Sequence, residues 1–275
     1  MIKLLYGMLT VLLVMSLCVG QTSSDIVYPY WRSQDFSWTR EEIVTEDKQF
    51  GTIVANLDHL LKEGANPSSV RKRFEPKPNE TYESQPINDR FSWAYLTYQM
   101  LRRPAGIPIK VRENQITHAS HLLAIKPTSN AHDYIRLRFL LPMYLGVEER
   151  HLPVGQKLLA LNPNDLAVRY SVAAILAVSH EQSDLDKAES MVRTLLASHP
   201  TDYSYKSLEA SIAWSRYMKS GGQADGQHAI ELYADSYMNS NDPQWKRRAR
   251  FIINYISSDM KKRGFKVNIS AALQN

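Results

Sequence analysis

The chain has 275 residues, of which 44% are hydrophobic and 22% charged, and its formal net charge is +5. Those proportions are globular and exclude wholesale disorder, and so mild a charge is no nucleic-acid footprint, so no specific nucleic-acid recognition is expected. Cys18 is the only cysteine, so a mature chain beginning after it has no disulfide, cysteine-ligated zinc or thiol catalysis.

In chain order, Lys3 gives a minimal basic start and residues 4–17 form an uncharged run rich in Leu and Val. Cys18 and Gly20 then put small residues three places and one place before a cut ahead of Gln21. Residues 1–20 thus resemble a secretory signal peptide, which implies a secreted or periplasmic protein. The alternatives are an uncleaved membrane anchor or a lipid on Cys18. Residues 21–38 hold Tyr28, Tyr30, Trp31, Phe36 and Trp38, too apolar a set for a solvated linker. The expected form is a strap packed on the helical body, or an arm that docks a partner.

An N-terminal helical segment is expected over 39–64. Thr39 and Glu42 make a capping box for a helix over 40–62, whose apolar side is Ile43, Phe50, Ile53, Val54, Leu57, Leu60 and Leu61. Residues 65–89, with Pro67, Pro76, Pro78 and Pro86, show no periodicity and read as a connector. Helices over 90–102 and 111–125 make a first pair. The second pair is 130–145, kinked at Pro142, with 153–161. The third is 165–180 with 184–198, and the fourth 203–219 with 227–238, around a flexible Ser220-Gly221-Gly222-Gln223 turn. Asp242-Pro243, an N-cap followed by proline, opens a terminal capping helix over 244–263. The tail, 264–275, is expected to fray. No strand pattern is found.

One phrase recurs three times: Leu122-Leu123-Ala124-Ile125-Lys126-Pro127, Leu158-Leu159-Ala160-Leu161-Asn162-Pro163 and Leu195-Leu196-Ala197-Ser198-His199-Pro200. Its prolines lie 36 and then 37 residues apart. Each copy ends an apolar helix, because proline cannot continue it, and Asn164-Asp165 or Thr201-Asp202 supplies the next cap. A repeat of that length indicates stacked helix pairs.

The phrase resembles the end of a tetratricopeptide repeat. Counting from the prolines in that family's roughly 34-residue register, the small-residue slots fall on Ala173, Ala188, Ala210 and Ala229, where paired helices cross closely. The surplus length falls between helices, at 179–183 and 220–226. The family's Trp and Gly in the first helix are missing, and Leu158 and Leu195 stand where it has Ala, so the likeness is to a divergent member. The resemblance implies an all-α, right-handed superhelical array of antiparallel helix pairs over 90–263. Such arrays bind a protein or peptide on the concave face of their first helices. On this register the candidate contacts are Tyr98, Arg136, Arg138, Arg169, Lys206 and Arg216.

Catalytic chemistry finds little support. There is no Gly-x-Ser-x-Gly and no phosphate-cradling loop, and the adjacent pairs Glu41-Glu42 and Glu148-Glu149 point in different directions. His118 and His121 have a chelating spacing, with His132 the candidate third ligand, and a metal-dependent enzyme on these residues is the third class of function. The expectation is nonetheless a non-catalytic scaffold without cofactor or metal. The second class is binding of an anionic envelope polymer or membrane surface through Lys246, Arg247, Arg248 and Arg250, which crowd the start of the last helix. Positive charge there opposes the helix dipole, whereas Lys261, Lys262 and Arg263 at its end suit it. Its buried stripe is Trp245, Ala249, Ile252, Ile253, Ile256 and Met260. Asn79-Glu80-Thr81 and Asn268-Ile269-Ser270 match the N-glycosylation acceptor pattern.

Overall fold

A computed structural model describes residues 38, 42–77, 79–102, 109–144, 146, 149–179 and 181–269. Among them the chain is all-α, and the one departure is an isolated bridge between Val44 and Ala131. The described residues form two compact units divided between Asn162 and Pro163, inside the expected array. The expected signal peptide, residues 1–20, and the aromatic segment except Trp38 lie outside the described residues.

In the N-terminal unit, among the described residues, the helix expected over 40–62 begins later than the capping box predicts. Helix α1 spans Gln49–Lys62, and Thr39 lies outside the described residues. The segment before it is extended because Val44 donates its N–H to Asn130 O at 3.0 Å and accepts from His132 N at 2.9 Å. Lys48 is the N-cap position, and Asp47 just before it accepts from Gln49 N through Oδ1 at 3.0 Å. The expected connector contains a short helix, α2, Pro67–Arg71, started by Asn66, whose side chain accepts from Ser68 N. Five residues are too few to show a period, and for that reason the sequence pattern missed it.

Helix α3, Ile87–Arg102, is the centre of this unit, packed against α1, α2, α4 (Ile109–Ala124) and α5 (His132–Leu140). Every residue from Arg90 to Tyr98 is buried, so the helix is enclosed on all sides. Phe50 of α1 packs on Phe91 and Tyr134 at ring separations of 4.7 and 5.0 Å. Arg90, 1% exposed, donates to Leu122 O at 3.1 Å, Ile125 O at 2.5 Å and Pro127 O at 3.1 Å. It thereby satisfies carbonyls left open at and beyond the end of α4. The expected kinked helix over 130–145 is instead α5 followed by a separate 3₁₀ turn, Pro142–Tyr144, since proline offers no N–H to carry the ladder on. Helix α6, Leu152–Leu161, packs on α5 and ends this unit.

The C-terminal unit follows the repeat more closely. It contains α7 (Leu166–Ala177), α8 (Gln182–Ser198), α9 (Tyr203–Ser220), α10 (Gln223–Asn239) and α11 (Pro243–Lys262). Each helix packs on the next, and α7 also packs on α9. The caps fall where the sequence puts them: Asp165 Oδ1 accepts from Ala167 N and Val168 N, and Asp202 Oδ1 from Ser204 N. Ala173, Ala188, Ala210 and Ala229 are all 0% exposed. Gly226 marks another close crossing, since a Cβ there would meet Met260 Sδ at 2.7 Å and the Tyr217 ring at 2.9 Å.

The expected turn at 220–226 shrinks to Gly221-Gly222. Gly221 sits at φ 65°, ending α9 in the left-handed conformation glycine favours, and α10 starts at once. The surplus length is absorbed by longer helices. The tail does not fray over the residues described: Phe265, Val267 and Ile269 pack on the core formed by α9, α10 and α11.

Candidate binding surface

The six candidate contacts fall in both units, three in each, and most have intramolecular work. Tyr98 does not face outward: it is 3% exposed, edge-on to Tyr144 at 6.0 Å, with Arg102 5.8 Å from its ring centroid. The register put it on an open face, but an enclosed helix has none. Arg138 lies 4.6 Å over the ring of Trp38, which is itself buried and 6.3 Å from the His151 ring. Arg136 is half-buried on the same helix.

In the C-terminal unit, Arg169 donates to Pro163 O, bracing the turn that precedes its own helix. Lys206 pairs with Asp235 of α10. Arg216 reaches from α9 to α8, with Nη2 2.7 Å from Asp186 Oδ1 and 2.6 Å from Glu189 Oε2. Burial disfavours its charge, but hydrogen bonds and attraction from Glu189 and Asp186 outweigh that and hold its pKa above the usual guanidinium value. Burial likewise opposes ionisation of Glu189, but Arg216 and Arg193 win and lower its pKa. Helices α8 and α9 are thus joined by charge as well as by their packing.

The four basic residues at the start of α11 differ in setting. Lys246 and Arg250 flank Tyr237, 5.1 and 5.7 Å from its ring centroid, and Arg250 also donates to its hydroxyl at 3.0 Å. Arg248 lies 5.5 Å over Trp245, and Arg247 is exposed. The sequence did not single out two large apolar groups on the same helix, Phe251 at 52% and Tyr255 at 39% exposure. Their i, i+4 spacing was the available signal.

The histidines are separated in role. His118 is wedged edge-on between Tyr82 and Trp93, at 4.6 and 4.9 Å. Burial lowers its pKa, with His121 and Arg71 adding to the effect. His121 faces Glu83 at 3.9 Å, and His132 faces Asp133 at 3.4 Å. Among the described residues no group of three His, Cys, Asp or Glu side chains is placed to hold a metal, and no helix is long and apolar enough to cross a membrane. Asn79 and Asn268 are both exposed.

Comparison with protein-family models, with curated proteins and with solved structures finds no match.

Proposed function

We propose that this chain is an exported, non-catalytic scaffold that binds a protein or peptide through a tetratricopeptide-like array of helix pairs. The observation that supports this most is the register of small residues. Ala173 and Ala188 on α7 and α8, and Ala210 and Ala229 on α9 and α10, are fully buried at the positions the repeat assigns to close crossings. Packing of α7 on α9 fits a first-helix-on-first-helix stack, the layer that lines the concave face in such arrays. Arg169, Lys206 and Arg216 lie on those two helices and are the proposed contacts in this unit. Affinity capture from a cell-envelope extract tests the idea. A defined protein should be recovered by the wild-type chain and lost when the three are changed together to Glu. No protein above background ends this reading.

A second reading has its own support in α11, where exposed Phe251 and Tyr255 lie on a helix carrying Lys246, Arg247, Arg248 and Arg250. Aromatic and basic side chains on one exposed helix suit an anionic membrane surface. Binding to vesicles containing anionic lipid should weaken as salt rises and disappear when the four basic residues become Ala. Binding unchanged between low and high salt disposes of it.

A further inference from the structure

The segment after α11 is held in an unusual way. Gly264, at φ 81°, and Phe265 close the helix with N–H bonds to Lys261 O and Met260 O, both 3.0 Å. Beyond this cap the chain runs along α10. Gln223 Nε2 donates to Lys266 O at 3.2 Å, and Gln227 grips both backbone groups of Asn268: its Nε2 donates to the carbonyl, and its Oε1 accepts from the N–H, each at 3.0 Å. Phe265, Val267 and Ile269, the alternate residues, pack against the core, while Lys266 and Asn268 are exposed.

The spacing explains why this works. One helical turn from Gln223 to Gln227 advances about 6 Å, and two residues of extended chain advance about 6.5 Å. A row of polar side chains every fourth residue on a helix therefore meets every second peptide unit of an extended segment. Glu231, which accepts from Gln227 Nε2 at 3.0 Å, continues the row by another turn. An open cavity bordered by Ser257, Ser258, Lys261 and Lys262 lies beside Ile269.

We propose that the face of α10 bearing Gln223, Gln227 and Glu231 is a docking site for an extended peptide with apolar residues at alternate positions, and that Phe265–Ile269 is its built-in competitor. This rests on the peptide-binding reading above and names the ligand's pattern and a site distinct from α7 and α9. The hydrogen bonds of Gln223 and Gln227 to the segment go to its main chain, so they are indifferent to its sequence. Specificity comes from the alternate apolar side chains, as in other modes that read an extended backbone. A short segment held by side-chain amides and half-buried apolar groups belongs to the least stable part of a fold, so it can exchange.

The test uses the full chain and a labelled synthetic peptide that repeats residues 264–269. A tethered competitor acts at an effective concentration on the order of millimolar, so releasing it with Val267→Asp and Ile269→Asp should tighten peptide binding at least about tenfold over wild type. Adding Gln227→Ala to that background should weaken it again about tenfold, because two hydrogen bonds are lost. In the wild-type chain, excess peptide should speed amide exchange across residues 265–269. This second readout needs no substitution and survives any misfolding of the variants. A folded Val267→Asp, Ile269→Asp chain that binds no peptide, or exchange unaltered by excess peptide, overturns the proposal. The capture experiment varies only residues of α7 and α9, so either idea can fail without the other.

Discussion

The two units solve the same problem, burying helices in a chain without disulfides, in different ways. In the C-terminal unit each helix packs on the next, four alanines are fully buried, and an aspartate caps α7 and α9. In the N-terminal unit one helix, α3, is surrounded, and a buried guanidinium closes the end of another. Repetition distributes stability over similar contacts, whereas an enclosed helix concentrates it in a few. Substitutions should expose that contrast.

The largest effect is expected at Arg90. Its side chain is 1% exposed and serves three carbonyls of the 122–127 segment. Arg90→Ala strips those acceptors, one buried and two part-buried, of their partner and leaves a cavity. A loss of about 3–5 kcal/mol is expected from the unpaired carbonyls and the cavity together, read as a fall in the urea midpoint. A change below about 1 kcal/mol would show that water replaces the guanidinium without penalty.

Next comes the repeat register. Ala188→Leu and Ala229→Leu should each overpack a crossing and cost about 1–3 kcal/mol. Ala224→Leu, on the exposed first turn of α10, should cost close to nothing. Thermal melts compare them directly, and equal melting temperatures would show that the buried alanines are not tight crossings. Asp165→Ala and Asp202→Ala should follow at about 1 kcal/mol each, the usual cost of a lost N-cap.

How much of the fold was legible depends on range. Asp165, Asp202 and Asp242-Pro243 act within a few residues of themselves, so their roles could be read directly. The four buried alanines were legible because a recurring phrase supplied a register. Val44 was not legible, because its extended conformation is set by Ala131, far along the chain. Arg90 looked like an ordinary polar residue at a helix start, and Tyr98 like an outward aromatic. Only the packing of four helices around α3 buries both. The peptide-like hold on Asn268 had a signal, Gln223, Gln227 and Glu231 at every fourth position, but no sequence pattern says what such a row faces.

The smallest and most diagnostic contrast lies in pH. In the N-terminal unit, burial between Tyr82 and Trp93 holds the His118 pKa below its ordinary value, helped by His121 and Arg71 and opposed by Glu83. The folded state therefore takes up this proton at lower pH than the unfolded state does. The stability it implies is complete above the unfolded pKa of about 6.5 and declines as pH falls below that value toward the folded one. In the C-terminal unit Asp184 is depressed by hydrogen bonds from Ser179 and Lys187, and so is Glu189, despite its burial, because of Arg216 and Arg193. Their contributions are present above the ordinary carboxylate range and are lost only as pH falls through that range to the folded values. Glu209, raised by burial, runs the other way and favours the fold at lower pH. The N-terminal unit should thus begin to weaken near pH 6.5 and the C-terminal unit only in the carboxylate range. Hydrogen exchange resolved along the chain at pH 7.5 and pH 5.5 separates the two, and His118→Phe should flatten the response of α3 and α4 alone. An unchanged response in that variant would move the cause from His118 to another group of that unit.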